Sequence, residues 1–411
     1  MPRLRLPPAA LLLSAALIAA ALMAVPALTD PTGAPLPPGL ELHAPPLYLI
    51  LAPLFGTWDG ITLLGMARLK GFLWGIAIGY VLWRAWRWRS RQGTLQQRLL
   101  RELSVLSAFC VLFALFVLAG LTWHRPMLAL RGASPDAIVV DLHSHTNVSH
   151  DVQGTLMRGY DVVANRRWHG RAGFDAFFVT DHNTTAGWRA DHSPDASPRL
   201  CRGIEVSAWR AHIVLLGDTT DVDRTLYANG EAGVLALLRD SRLRYNSLAV
   251  ASLPEYDRAL WNERGSLVAA GVAGFEIVNA SPKAADFPPA HRDSIIALAK
   301  AHDLFVAGVN DSHGWGATSL AWTLIRLPGW RRLTDPCPAL LQVLATPGDA
   351  VQIVERTHLT RESRWPMVLT PLGMLWVTWQ TQGWPLALSW LAWTWLIVLL
   401  SMRLSRRKTE R

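Results

Sequence analysis

The stretch Val139-Val140-Asp141-Leu142-His143-Ser144-His145-Thr146-Asn147-Val148-Ser149-His150-Asp151 decides how the chain is read. Two β-branched residues lead into it as a short strand, and residues two apart on a strand leave the same face. His143 and His145 therefore point together. Paired imidazoles suit one divalent ion, and the polar, turn-prone run that follows can return either His150 or Asp151 to the same place.

Downstream, short β-branched runs alternate with longer amphipathic ones: Ala137 to Leu142, Ala176 to Thr180, Gly203 to Val206, His212 to Leu216, Ser247 to Ala251, Gly274 to Val278 and Leu304 to Val309. Helical stretches such as Glu231 to Arg239 and Arg292 to His302 lie between them. This alternation predicts an α/β fold with parallel strands, whose functional groups gather at the strands' carboxyl ends. The first such end after the opening cluster is Thr180-Asp181-His182-Asn183, where Asp181 is placed to orient His182. Gly203-Ile204 runs into Glu205, a carboxylate able to bridge two ions, and His212 opens the next strand. Asp311-Ser312-His313 then offers a second pair two residues apart. Singly, such a His or Glu is most often structural, and the set is what points to a metal centre. His43, His124, His169, His192, His291, His302 and His358 have no comparable context.

Asp141-Leu-His-Ser-His-Thr, Thr180-Asp-His-Asn, Gly203-Ile-Glu, His212 and Asp311-Ser-His resemble the ordered motifs of the PHP (polymerase and histidinol phosphatase) metal-dependent hydrolases. The resemblance runs from about Ile138 to the Ile353 region. It implies a distorted (β/α)7 barrel, two or three divalent ions at its C-terminal face, and phosphoester hydrolysis. Carried over by position, His143, His145, Glu205 and Asp311 hold one ion, and Glu205 bridges to a second that His212 also binds. His150, His182 and His313 hold a third, with Asp151 competing for the His150 slot. One departure stands out. The family places a His before a Pro after the strand Ser247 to Ala251, whereas this chain reads Ser252-Leu253-Pro254-Glu255. Leu253 cannot ligate, so water or Glu255 completes the second site, or the cluster is smaller.

Imidazole and carboxylate donors without thiolate suit Zn, Mn or Fe. The expected reaction is in-line attack on a small phosphate ester by a metal-bound hydroxide, with Asp311 both a ligand and the acceptor or guide of the water proton. Arg158, Arg258, Lys283 and Arg292 are available as phosphate-binding cations, with none singled out. Two alternatives stand beside this reading: hydrolysis of an amide or carbamate bond, and a non-catalytic metal-binding sensory module, for which Leu253 argues.

The flanks are a different material. Mean hydropathy is positive, and the net charge of +9 comes from the two ends, because acidic and basic residues nearly cancel between Gly132 and Arg364. Nucleic-acid binding is not indicated, and the charge reads as a membrane topology signal. Leu11 to Leu28, preceded by Arg3 and Arg5, is a signal peptide or first span. Thr29 to Ile61 contains no Lys or Arg, as an external loop should. Leu47 to Phe55 and Ile61 to Trp83, broken by Asp59 and Gly60, are read as one span with an interfacial lead-in; the alternative of two spans returns the later domain to the cytoplasm. Arg84, Arg87, Arg89, Arg91, Arg98 and Arg101 mark a cytoplasmic loop, Val105 to Trp123 crosses outward, and Leu386 to Met402 crosses back to the basic tail Arg403, Arg406, Arg407, Lys408 and Arg411. The expected organisation is residues 1–28, a membrane region at 29–131, a hydrolase domain at 132–364 outside the cytoplasmic membrane, and a terminal span with its tail at 365–411. Arg125, Arg131, Arg356, Arg361 and Arg364 lie on the outer side against the rule. Cys110 is intramembrane, and Cys201 and Cys337, able to pair only if the fold brings them together, are read as ordinary small residues.

Overall fold

The computed structural model describes residues 7–88, 92–193, 195–217 and 220–409, without side chains at 257, 258 and 405–409. Arg3, Arg5, Arg89, Arg91 and Arg411, and the side chains of Arg258, Arg406, Arg407 and Lys408, lie outside the described residues.

Ten strands form one curled sheet: Leu28–Thr29 (β1), Ala137–Asp141 (β2), Ala176–Val179 (β3), Arg199–Ala208 (β4), Ala211–Gly217 (β5), Ser247–Ala251 (β6), Gly274–Asn279 (β7), Phe305–Val309 (β8), Ala321–Arg326 (β9) and Val351–Arg356 (β10). Their spatial order is β1-β10-β9-β2-β3-β4-β5-β6-β7-β8. Every residue of β3, β6 and β7 is buried, which is why these strands read as continuous apolar runs.

The expected (β/α)7 barrel is corrected here to a ten-stranded mixed sheet. The parallel pairs are β2 with β3, β3 with β4, β6 with β7 and β7 with β8. By contrast, β5 runs antiparallel to both β4 and β6, and β9 to both β2 and β10. The cause is local: Ala208 pairs with Ala211, leaving only Trp209 and Arg210 in the turn, with Trp209 at φ 56°. A two-residue connection has no room for a crossover helix and must return the chain antiparallel. The unforeseen β9 follows β8 through a helix-free loop, and β10 returns antiparallel to β9 after the helix Cys337–Ala345, so no parallel βαβ rhythm announced them.

The curl brings β8 against β9 and β10. Side chains bridge the seam where the backbones do not pair. The Thr323 hydroxyl accepts from Gly308 N at 3.0 Å and donates to Gly308 O at 2.9 Å. The Asn310 amide donates to Ala321 O at 2.8 Å and accepts from Leu320 N at 2.8 Å. A Cβ on Gly308 would stand 2.7 Å from Ile353 Cγ2 and 2.9 Å from Ala321 Cβ, so this approach requires glycine.

Cys201 of β4 and Cys337 of the helix Cys337–Ala345 form a disulfide, with Cα atoms 5.5 Å apart across a sequence separation of 136. Reading them as ordinary small residues is therefore corrected. Their proximity exists only once the sheet has curled, so spacing along the chain could not show it.

Among the described residues, Leu95–Thr122 and Gly383–Leu404 are long and apolar enough to cross a membrane. Pro8–Leu22 is shorter and packs Leu17 and Ala20 in one cluster with Trp379 and Trp390. The ambiguous region from Leu47 to Trp83 falls on three helices, Pro46–Ile50, Ala52–Thr62 and Met66–Trp88. Asp59, fully buried in the second, meets Arg125 Nη1 at 2.8 Å and Arg356 Nη1 at 3.0 Å, and accepts from Tyr48 Oη at 2.8 Å and Thr318 Oγ1 at 3.1 Å. This knot fastens the N-terminal helices to β10 and to the loop before β9.

Replacing Asp59 would strand two buried guanidinium groups. Asp59→Asn is expected to destabilise the fold by about 3–5 kcal/mol, read as a lowered thermal midpoint of the full chain in detergent; an unchanged midpoint would show that the knot contributes nothing.

Candidate metal centre

The side chains singled out in the sequence stand on neighbouring strand ends. His143 and His145 follow β2, His182 follows β3, Glu205 and His212 lie on the paired β4 and β5, and Asp311 and His313 follow β8. Backbone bonds set their register. His145 N donates to Ser312 O at 3.0 Å, Asp311 N to His143 O at 3.0 Å and Asn183 N to Glu205 O at 2.8 Å. The helix Val162–Ala172, capped by the Asp161 carboxylate on Ala164 N, presents Asn165 Nδ2 to His145 O at 2.7 Å. Asp311 holds φ at 47°, a left-handed conformation that Asp tolerates better than most residues.

The donor atoms converge. His143 Nε2 lies 3.0 Å from His145 Nε2 and 3.1 Å from Glu205 Oε2. His145 Nε2 lies 3.2 Å from Glu205 Oε2 and 3.1 Å from Asp311 Oδ1. An ion bonded at about 2.1 Å to ligands roughly 90–109° apart would separate them by about 3.0–3.4 Å, so these spacings fit a shared divalent cation. Asp311 Oδ1 and His182 Nδ1 point the same way: both are buried without a hydrogen-bond partner among the described residues. Among the described residues, three groups offer one donor atom from each member, all within 4.8 Å of one another: His143, His145 and Glu205; His145, Asp151, His182 and His313; His182, Glu205 and His212. Glu205 reaches His182 Nδ1 with Oε2 and His212 Nδ1 with Oε1, each at 3.1 Å.

Two site expectations change. His150 is exposed at the start of the short helix His150–Gln153, and its nitrogens belong to none of these groups. Asp151 stands there instead, its Oδ2 3.1 Å from His182 Nε2 and 2.6 Å from His313 Nε2. Ser149 Oγ donates to Asp151 Oδ1 at 2.7 Å and so turns this carboxylate inward. Asp181, expected to orient His182, instead accepts from Thr146 N at 2.6 Å and Thr146 Oγ1 at 2.8 Å, fixing the loop after His145.

Two residues were missed. Glu276, in the middle of β7, lies 2.7 Å from His143 Nδ1 and is itself held by Ser252 Oγ and by Asn279 Nδ2. Bonding at Nδ1 leaves Nε2 free to face the ion. The signal was legible: a carboxylate inside the wholly buried run Gly274-Phe-Glu-Ile-Val-Asn. The second is Tyr256, whose hydroxyl lies 2.6 Å from His212 Nδ1. Leu253, where the family motif has a His, is fully buried in the apolar core.

No protein-family model matches the chain, and no curated protein matches it. Solved structures do show similarity. One is a protein from Bifidobacterium adolescentis assigned as a metal-dependent phosphoesterase, with 17% identity over 43% of this chain and 88% of that one, at a TM-score of 0.33. A second is an amidohydrolase from Chromobacterium violaceum with bound sulfate and no metal, with 17% identity over 51% and 99%, at 0.33. A third is PsfC from Pseudomonas syringae, with 17% identity over 58% and 98%, at 0.36.

The electrostatics show what would balance this centre. Burial disfavours a charged imidazole, yet the facing carboxylates of Asp311 and Glu205 raise His145 to about 10. His143 is raised as well, against its burial, by Asp311, Glu205 and Glu276. Burial likewise opposes charge on Glu205, and the facing His143 and His182 hold it well below the usual carboxylate range. A divalent ion would take the place of the imidazolium protons, because ligand histidines must be neutral. Below their raised pKa values His143 and His145 hold protons, so metal affinity is expected to fall as pH falls through the neutral range, with protons released on binding. Calorimetric titration of Zn or Mn in buffers of different ionisation enthalpy measures that release, and pH-independent binding would contradict it.

Proposed function

We propose that this chain is a membrane-anchored metallohydrolase that cleaves a phosphate ester, with its hydrolase domain on the extracytoplasmic side of the cytoplasmic membrane. The convergence of His143, His145, Asp151, His182, Glu205, His212, Asp311 and His313 carries the reading. Bound there, two or three ions of Zn, Mn or Fe would acidify a water and offset the charge of phosphoryl oxygens.

The chain's own groups do the rest. Asp311 Oδ1 faces the converging donors and can accept or steer a proton from that water. Tyr256 stays protonated, its pKa raised by burial and then by Glu255 and Glu205, so its hydroxyl remains a donor beside His212. A cavity of about 820 Å³ shares Tyr256 with the centre and collects Lys70, Arg210, Lys283 and Arg361 against the carboxylates of Glu255 and Asp286. Among the described residues no ion pair involves Lys70, Arg210 or Arg361. Cations in this excess favour a phosphate over an uncharged amide or carbamate, which is why the phosphoester reading ranks above the acyl one. The other cations named from sequence stand elsewhere: Arg158 is exposed and Arg292 pairs with Glu355 at 3.0 Å. The disulfide suits an oxidising compartment and supports the extracytoplasmic placement.

The purified chain, loaded with each metal in turn and offered a panel of phosphoesters and anilides, is expected to release phosphate only. Asp311→Asn should lower kcat at least about a hundredfold. Turnover confined to anilides would replace this reading with the acyl one, and metal binding without any turnover would favour a sensory module. For sidedness, a reporter inserted near Pro198 is expected to behave as external and one fused after Arg411 as cytoplasmic; cytoplasmic behaviour at Pro198 would sink the orientation.

A further inference from the structure

The cavity beside the metal centre is only partly a product of the hydrolase domain. One wall is the start of the helix Met66–Trp88, through Met66, Ala67 and Lys70. That wall is fastened to the loop after β7: Met66 N donates to Pro282 O at 2.7 Å and Ala67 N to Asp286 Oδ2 at 2.8 Å. Buried Arg68 clamps the opposite lip, donating to the carbonyls of Thr360, Arg361, Ser363 and Trp365 at 2.9, 3.1, 2.6 and 2.7 Å. Arg361, on that clamped loop, is one of the cavity cations. The helix is thus built into the pocket.

The same helix leaves the pocket with an apolar face. Lys70 is followed at helical spacing by Trp74, Ile78 and Val81, which are 68%, 42% and 62% exposed. Lys70 to Val81 spans about 16 Å along the axis. Over the first turns the other side is covered, with Phe72 buried and Gly71 and Gly75 closed by Met367 and Val368, while from Leu82 onward the helix is exposed on that side too. A cationic pocket therefore opens at the head of an uncovered apolar track. A small water-soluble phosphoester would need the first and have no use for the second.

Resting on the phosphoesterase reading above, we propose that the substrate is a phosphorylated amphiphile, its phosphate head among Lys70, Arg210, Lys283 and Arg361 and its hydrocarbon tail along Trp74, Ile78 and Val81. Charge complementarity selects the head, and the track selects a lipid over a free sugar or nucleoside phosphate. The metal centre then works on a head group presented from the membrane side.

The test uses the full chain, metal-loaded, in mixed detergent micelles, with glycerol phosphate and palmitoyl lysophosphatidic acid as probes sharing one phosphoester. The expected kcat/KM is at least about tenfold higher for the long-chain probe, and Trp74→Ser with Ile78→Ser is expected to erase most of that ratio. Because the readout is a ratio, a general loss of folded protein leaves it unchanged. Equal turnover of the two probes, or a ratio unmoved in the double variant, would overturn the lipid assignment while leaving a phosphoesterase in place. Release of phosphate from neither probe nor from the wider panel would remove the phosphoesterase reading itself.

Discussion

Everything at the centre depends on one buried carboxylate that is not among the metal donors. Asp141, at the end of β2, accepts from His143 N at 3.3 Å, from Asn310 N at 3.2 Å and from Asn310 Nδ2 at 2.9 Å, with His169 Nε2 at 3.2 Å. It thereby joins the first strand end of the site to the last, residues separated by most of the domain's sequence. Without that join the pairing of His143 with Asp311 and of His145 with Ser312 would have no anchor, and donors from β2 and β8 would not share an ion. A buried carboxylate tolerates such a position only when its lone pairs are met, and here neighbouring groups meet them. Asn310 completes the seam by imitating a strand on its other side.

Much of this was legible, and the reasons for the remainder are physical. Seven of the ten strands follow from short β-branched apolar runs, and the donor histidines from their place near strand ends. What the pattern could not carry was direction, since a strand looks the same parallel or antiparallel until the turn after it is counted. Ala208-Trp209-Arg210-Ala211 held that information in a two-residue loop. The orientation of residues 150 and 151 was equally local and equally hidden. It is set within a four-residue helix, where Ser149 bonds the Asp151 carboxylate and the His150 ring lies 4.7 Å from that of His182. The disulfide and the Glu276 support of His143 are long-range contacts, though the carboxylate in an apolar strand was a sign in its own right.

The flanks show how a charge count can mislead when the charges are paired. Reading topology from Lys and Arg treats each as a solvated cation facing one side of the membrane. In this fold Arg125 and Arg356 are consumed by Asp59, Arg68 by four backbone carbonyls, and Arg84 by Glu102 at 2.5 Å. Arg125 and Arg356 were two of the residues that stood on the wrong side of the proposed orientation. Paired inside the protein, neither is a solvated cation facing one side, and the same holds for Arg84, which the charge count had placed on the cytoplasmic side. The same pairing explains why Met66–Trp88, despite its 23 residues, is a poor match to a plain apolar span: its first turns carry Arg68 and Lys70 because they form part of a pocket wall, and charge placed for that purpose cannot also be spent on a uniform apolar helix.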